Sequence, residues 1–296
     1  MTQVKTTYNS FSLGGKIVDY GLLIKFKLSL TVVFSAVMAY LILGGRSWIG
    51  AFGLFIGGML VTGAANALNQ VLEKDFDRLM DRTKDRPVVM GRITSPEAVL
   101  AAGLMSLVGI TILGMFNPLT AFLGMLSLVL YAFLYTPLKR FSPVSVWIGT
   151  LPGALPILIG GAAIEGHIST LALIIFGIQV LWQLPHFWAI GWIGFEDYQK
   201  AGFKLLPVKD QSLDPKIGLY SFFAALPLIA LGMLPFYLGE MGMIPSIIVA
   251  FSGILYAGVA WKFYKMADRK SALRLMFSSF IYLPVILFSY YIGSII

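Results

Sequence analysis

The 296-residue sequence contains no cysteine, and only 12% of its residues are charged. The lack of cysteine excludes disulfides, thiolate metal sites and a cysteine nucleophile. The scarcity of charge, with 58% hydrophobic residues, excludes an ordinary soluble domain, because one aqueous globule cannot bury so much apolar surface. Residues 1–21 also lack the apolar core and cleavage site of a secretory signal, so we expect a short cytoplasmic tail there.

Long stretches without Asp, Glu, Lys or Arg make up most of the chain. A membrane-spanning helix needs about 20 apolar residues. The stretch from 98 to 138 has room for two spans, separated by a turn at Asn117-Pro118. The sequence therefore predicts an all-α, polytopic membrane protein with about nine transmembrane helices. The predicted spans are 22–43, 48–70, 97–115, 119–136, 144–164, 170–192, 217–238, 243–262 and 274–294.

Basic residues are distributed unevenly between the predicted loops. With a cytoplasmic N-terminus, every lysine and arginine except Arg46 falls on the cytoplasmic side, which is a strong positive-inside signal. We therefore expect a multi-pass plasma (inner) membrane protein whose C-terminus lies outside. Topology and contact with an anionic lipid bilayer explain the net charge of +8, so we expect no nucleic-acid partner.

Two long cytoplasmic segments, 71–96 and 193–216, hold most of the polar side chains that could carry chemistry. The predicted outer loops are too short to hold a site. Both long segments follow an even-numbered span, which favours two related halves within a single domain that covers residues 1–296.

Acidic and amide side chains recur every four residues in the first segment, with arginines beside them. The oxygen-bearing stripe consists of Asn69, Glu73, Asp77 and Asp81, and the cationic stripe of Arg78, Arg82 and Arg86. On a helix that continues beyond the second span, such stripes are typical of solvated acid–base pairs, each worth about 0.2–0.5 kcal/mol. They also fit a site where oxygens hold Mg²⁺ and arginines bind diphosphate. Spacing alone leaves both interpretations open.

A histidine lies inside the sixth predicted span, in the run 182–192 (WQLPHFWAIGW). An ionisable residue in a span should face the bundle interior or a cavity. His186 therefore makes either an interhelical hydrogen bond or a contact with a ligand. The three tryptophans of this run are typical of interfacial anchors, and we expect at least two of them to act in that way. His167, in an outer loop, is interpreted as incidental.

Several motifs resemble those of the UbiA-type intramembrane prenyltransferases. Asn69, Glu73 and Asp77 resemble the family's first signature, Asn-x-x-x-Asp-x-x-x-Asp, with Glu at the middle position. Three further runs are similar to motifs of the branch that farnesylates heme, namely 80–87 (MDRTKDRP), 135–140 (YTPLKR) and 182–189 (WQLPHFWA). The resemblance runs from about residue 25 to 208. The second Asp-x-x-x-Asp of other members is missing, and Glu196 and Asp197 are the nearest carboxylates.

The resemblance implies a helix bundle around a central cavity open to the cytoplasmic side. There, a farnesyl group would pass from farnesyl diphosphate to a vinyl group of heme B, giving heme O for a downstream heme A synthase or terminal oxidase assembly. The implied Mg²⁺ ligands are Asn69, Glu73 and Asp77, and the implied catalytic residues also include Arg82, Arg86 and His186. The implied substrate-binding residues are His186, Lys139, Arg140, Glu196, Asp197 and Lys25. Candidates for shielding an allylic cation are Tyr131, Phe133, Tyr135, Phe187 and Trp188.

Two other functions stay open at this point. A prenyltransferase of the same family could act on an aromatic or quinone precursor instead of heme. A transporter would also fit, because helices interrupted by Gly and Pro and a layout in two halves are common in transporters.

Overall fold

A computed structural model shows the fold of residues 13–209 and 212–296 as a helical bundle. Residues 1–12 of the expected tail lie outside the described residues. The helices are α1 (Leu13–Leu23), α2 (Phe26–Ile42), α3 (Trp48–Leu72), α4 (Lys74–Asp77), α5 (Ser95–Gly114), α6 (Pro118–Val129), α7 (Thr136–Leu138), α8 (Ser145–Glu165), α9 (Thr170–Ile193), α10 (Phe195–Lys200), α11 (Ile217–Ala225), α12 (Pro227–Tyr237), α13 (Met243–Met266) and α14 (Arg269–Ile295). A π-helical turn, Leu130–Tyr135, joins α6 to α7, and strands β1 (Val208–Lys209) and β2 (Ser212–Leu213) pair antiparallel.

Eight helices in the described ranges are long and apolar enough to cross a membrane. Two of them are interrupted spans, since α6 through α7 cover Pro118–Leu138 and α11 with α12 cover Ile217–Tyr237. A ninth span results if α1 and α2, which meet at an angle of 53°, are counted as one. The prediction of an all-α polytopic protein with about nine spans is confirmed.

Local sequence signals set several helix ends. The Asn117 side chain accepts a hydrogen bond from the Thr120 N–H at 2.9 Å, and Pro118 takes the first helical position. The break between α5 and α6 therefore falls where the sequence predicts it. At the start of α5, Thr94 and Glu97 form a reciprocal capping box.

The segment expected to be a tail is partly helical. Its helix α1 is held by two ion pairs, Lys16–Glu97 at 2.9 Å to the first turn of α5 and Asp19–Arg92 at 2.8 Å to the residues just before α5. The chain then turns sharply at Lys25, which has a left-handed backbone conformation (φ 48°). This turn brings the Lys25 side chain to the C-terminal end of α3.

The centre of the bundle is formed by α8 and α9, which are the most enclosed of the spanning helices, whereas α5 exposes most of its surface. Glycine allows α2 and α8 to pack very closely, because a Cβ atom at Gly160 would lie 2.0 Å from the Ala36 carbonyl oxygen. These central helices carry the walls of the site.

Candidate active site

The segment 71–96 departs from a straight helix at Glu73. Helix α3 ends at Leu72, Glu73 leaves the helical conformation (φ −101°, ψ 5°), and α4 makes about one turn before a series of turns. The predicted continuous stripe through Asp81 is therefore wrong. The break leaves Glu73 and Asp77 buried, whereas Asp81 is exposed.

Asn69, in the last turn of α3, connects two other parts of the chain. Its Oδ1 accepts a hydrogen bond from Lys25 Nζ at 2.9 Å, and its Nδ2 donates to Thr136 Oγ1 at 3.1 Å. Asn69 and Thr136 are both buried. The amide is therefore held in one orientation, with its oxygen beside a lysine.

Glu73 forms a buried ion pair with Lys139. The Lys139 Nζ donates to Glu73 Oε1 at 2.7 Å and also lies 4.4 Å from the centre of the Tyr135 ring. Burial acts to raise the pKa of the Glu73 carboxyl, but the charge and hydrogen bond of Lys139 outweigh it and hold that pKa below its usual value. Glu73 is therefore ionised.

Asp77 is completely buried and pairs with Arg86, whose Nη1 donates to Asp77 Oδ2. The other oxygen, Oδ1, is enclosed and makes no hydrogen bond to any described residue. Burial raises the pKa of the Asp77 carboxyl, and Arg86 offsets only part of that increase. A buried carboxylate oxygen without a partner is costly, so this oxygen is available for a cation.

The oxygens of Asn69, Glu73 and Asp77 fit a hard metal ion. No group of three or more His, Cys, Asp or Glu side chains that could hold a metal occurs in the part of the chain that the structure describes. Mg²⁺ usually takes one or two carboxylates and completes its shell with water and substrate phosphates. The donor set therefore fits Mg²⁺ that is shared with a phosphate ligand.

The remaining predicted cations have different surroundings. Arg140 lies over the Phe76 ring, with its guanidinium carbon 4.1 Å from the ring centre, and donates to the Leu72 carbonyl at 3.0 Å. Arg82 is exposed and donates to the Tyr198 hydroxyl at 2.9 Å. Of the predicted anion-binding cations, the structure brings Arg86, Lys139 and Lys25 to the buried oxygens, whereas Arg82 and Arg140 lie at the edge of the site.

The segment 193–216 does not add its carboxylates to this group. Glu196 is exposed, and its carboxylate forms no hydrogen bond or ion pair within the described ranges. Asp197 accepts from the Arg82 backbone N–H at 3.4 Å and from Lys200 at 3.4 Å. The second segment instead covers the site with Phe203, whose ring centre lies 6.0 Å from the Nζ of Lys139. The backbone of this segment also bonds there, since the Lys204 N–H donates to the Lys139 carbonyl at 2.7 Å.

A cavity of about 290 Å³ lies within the bundle between α2, α3, α8, α9 and α14. Its walls are mainly apolar, and the polar side chains among them include Asn66, Gln179, Gln183 and His186. Tyr135 lines the cavity on one side and contacts Lys139 on the other. The buried charged group and the apolar cavity are therefore adjacent.

His186 lines this cavity and also bonds between helices. Its Nδ1 lies 2.7 Å from the Ser279 hydroxyl of α14. The imidazole stacks on Trp182, with ring centres 5.4 Å apart. Both predicted roles are thus compatible with its position. The Nδ1 atom of His167 lies 2.9 Å from the Glu165 carbonyl oxygen, away from this cavity.

Some aromatic residues lie where the sequence did not lead us to expect them. Trp182 and Trp188 are buried, so the expectation that at least two tryptophans of this run are interfacial anchors is wrong. Of the predicted cation-shielding aromatics, Tyr131, Tyr135 and Phe187 line the cavity. The other two do not line it, because Phe133 is exposed and Trp188 packs against Trp147 and Tyr220.

Motif reasoning missed Ser279, Gln179 and Asn66. Asn66 Nδ2 donates to the Ser29 hydroxyl at 3.2 Å, and Gln179 Nε2 donates to the Gly153 carbonyl at 2.9 Å. A signal was present, because amides and hydroxyls within charge-free spans should face the bundle interior.

The sequence and fold match known proteins over nearly the whole chain. Residues 29–283 match the UbiA prenyltransferase family. The chain is 40% identical over 279 residues to protoheme IX farnesyltransferase of Cytophaga hutchinsonii, which covers 93% of this chain and 97% of that protein.

Two solved structures share the fold. A digeranylgeranylglyceryl phosphate synthase aligns with a TM-score of 0.80 at 20% identity, covering 95% of this chain and 99% of its own. A UbiA homologue from Archaeoglobus fulgidus, bound to GPP and Mg²⁺, aligns with a TM-score of 0.65 at 14% identity, covering 92% of this chain and 99% of its own. This multi-pass membrane protein therefore belongs to the UbiA prenyltransferase family.

Proposed function

We propose that this protein transfers the farnesyl group of farnesyl diphosphate to a vinyl group of heme B, giving heme O. The observation that carries the proposal is the pairing of a buried oxygen and cation group around Glu73 and Asp77 with an adjacent apolar cavity. Such a pairing suits a donor with a charged head and a greasy tail. The 40% identity with a protoheme IX farnesyltransferase across nearly the whole length supports heme as the acceptor.

Asn69, Glu73 and Asp77 would hold Mg²⁺ on the diphosphate. The homologue from Archaeoglobus fulgidus, which binds GPP together with Mg²⁺, supports this part of the proposal. When bound, the metal supplies positive charge that stabilises the leaving diphosphate. Arg86 and Lys139 add positive charge at the same place, and Lys25 holds the Asn69 oxygen there, so the carbon–oxygen bond of the donor ionises more readily.

The cavity would receive the farnesyl chain beside the reacting edge of the porphyrin. The bond between the farnesyl carbon and the diphosphate oxygen breaks, and the electrons of the vinyl group form the new carbon–carbon bond. Water then adds to the resulting heme carbocation and loses a proton, which yields the hydroxyethylfarnesyl side chain. The Tyr131 and Tyr135 rings lie with their centres 5.5 Å apart and their planes tilted by 47°, and both line the cavity, where they can shield the allylic cation.

The outer residues of the site would act at its cytoplasmic edge. Arg82 and Asp197 connect the two cytoplasmic segments, and Arg140 holds the end of α3. These contacts would keep the segments closed over the diphosphate. The predicted orientation, with the N-terminus in the cytoplasm of an inner membrane, gives the charged donor access from that side.

An assay of the purified protein tests the proposal. Heme B, farnesyl diphosphate and Mg²⁺ are incubated with the protein in detergent or lipid discs, and the product mass is measured. We expect farnesylated heme, with no product when Mg²⁺ is chelated. Prenylation of a quinone or aromatic precursor but not of heme would contradict the proposed acceptor. Absence of any diphosphate release would favour a transporter.

A further inference from the structure

Ser279 of α14 contacts both members of a stacked pair of rings on α9. The Trp182 Nε1–H donates to the Ser279 carbonyl at 2.9 Å, and His186 Nδ1 lies 2.7 Å from the Ser279 hydroxyl. The imidazole and indole planes are 13° apart. All three residues are buried. One serine therefore fixes the position of both rings.

The direction of the His186–Ser279 hydrogen bond follows from the single proton of the hydroxyl. Ser279 Oγ donates to the Met276 carbonyl, about one turn earlier in α14. Because a serine hydroxyl has one hydrogen, its oxygen can then only accept from the imidazole. With the hydroxyl hydrogen directed to the Met276 carbonyl, the proton of the His186 imidazole lies on Nδ1 and Nε2 keeps a lone pair.

The Nε2 atom of His186 is the free side of the ring. It makes no hydrogen bond in the described part of the chain. It is also accessible, since it is absent from the fully enclosed polar atoms without a partner. The residue lines the cavity together with Gln183, Phe187 and Phe280. A neutral imidazole with an available nitrogen is a common axial ligand of heme iron. Histidine ligands usually donate their other N–H to an oxygen acceptor, and Ser279 is such an acceptor.

We propose that Ser279 is a positioning residue for heme, which holds His186 in the Nδ1–H tautomer so that Nε2 binds the heme iron. The identity of the ligand rests on the proposed function, but the binding step does not require farnesyl transfer. Iron ligation at His186 fixes the distance of the porphyrin from α9. Ser279 thereby helps to determine where the reacting vinyl group lies.

Heme binding by the full-length protein without farnesyl diphosphate tests this role. Absorption and electron paramagnetic resonance spectra report the iron ligand, and titration reports the affinity. We expect His186→Ala to lose the histidine-ligated spectrum and Ser279→Ala to weaken binding by about 10- to 100-fold. Ser279→Thr retains the hydroxyl and should bind heme nearly as the unmodified protein does.

Ser278 provides a matched control. Its hydroxyl also bonds to a carbonyl about one turn back, that of Leu275 at 2.8 Å, and it makes no hydrogen bond to His186 in the described structure. Ser278→Ala should therefore leave the heme spectrum and affinity unchanged. Thermal unfolding of each variant is measured in parallel, so that a loss of folding is seen directly.

Several outcomes would overturn the proposal. An unchanged spectrum in His186→Ala would show that His186 does not bind the heme iron. Normal heme affinity in Ser279→Ala would show that Ser279 does not position the imidazole. Equal losses in Ser279→Ala and Ser279→Thr, or a loss shared with Ser278→Ala, would show a packing role instead. Failure of the proposed function looks different, because histidine-ligated heme would bind but farnesyl diphosphate and Mg²⁺ would give no farnesylated product.

Discussion

The two long segments between spans, 71–96 and 193–216, are both rich in charged residues but have different structures. In the first segment, Glu73 and Asp77 are buried and each pairs with a cation. In the second, Glu196 is exposed, and the residue that covers the site is the buried Phe203. A carboxylate is buried here only where a cation pairs with it, because an unpaired buried charge costs too much free energy. The first segment therefore supplies the charge, and the second supplies an apolar cover.

The largest expected effect is loss of product when the buried carboxylates are neutralised. Glu73→Gln combined with Asp77→Asn should abolish farnesyl transfer, because the proposed Mg²⁺ that stabilises the leaving diphosphate would no longer be held, and loss of one such stabilising interaction costs about 100- to 1000-fold. Asp75→Asn is the matched control, because Asp75 lies in the same short helix α4 but is exposed. Product formation is measured by mass. If Glu196→Gln lost as much product as the double variant, the two segments would not differ in function as proposed.

The next effect concerns stability. Lys139→Met leaves Glu73 as an unpaired buried charge, which should destabilise the protein by about 3–5 kcal/mol. Lys200→Met removes only exposed ion pairs to Asp81 and Asp197, so it should change the melting temperature little. Thermal unfolding in detergent measures both. Adding Glu73→Gln to Lys139→Met should restore part of the stability, and no restoration would contradict the buried pair.

A smaller effect is expected where the segments meet. Arg82→Ala removes the hydrogen bond to the Tyr198 hydroxyl, which should raise KM for farnesyl diphosphate by about fivefold, equivalent to roughly 1 kcal/mol. Tyr198→Phe should have a similar but weaker effect. Hydrogen exchange of α10 should become faster in both variants. Unchanged exchange in both would mean that this contact does not hold the segments together.

The smallest effect is a shift in titration at the surface. Hydrogen bonds from Lys84 and Lys200 lower the pKa of the Asp81 carboxyl. A lowered pKa in the folded state means that the stabilisation is present above the usual aspartate pKa and is lost as the pH falls through the lowered value. Nuclear magnetic resonance of labelled aspartate should show this low pKa. In Lys84→Met it should move back up, and no movement would contradict the assigned cause.

The sequence predicted the spans well but not the bend at Glu73. Charge-free runs and the Asn117-Pro118 turn carry the span pattern directly. No glycine or proline marks the break after Leu72. The contacts that favour it are long-range ones, between Glu73 and Lys139 and between Asn69 and Lys25. A local sequence pattern does not reveal contacts between residues that are far apart in the chain.

The orientation of individual side chains was also beyond sequence reasoning. Lys139 and Arg140 are neighbours in the chain, yet only Lys139 reaches Glu73. Successive residues of a helix point about 100° apart, so a small rotation decides between them. Trp182 and Trp188 could not be recognised as buried, because lipid is as apolar as the interior of the bundle.

The π-helical turn at 130–135 has a consequence for how the chain can vary in length. A π-helical turn is wider than an α-helical one, so it acts like one extra residue within the span. Deleting a single residue there would restore the ordinary repeat and rotate everything that follows by about 100°. Lys139 would swing away from Glu73, and Tyr135 would leave the cavity wall. Insertions and deletions should therefore be tolerated in the outer loops but not within these six residues.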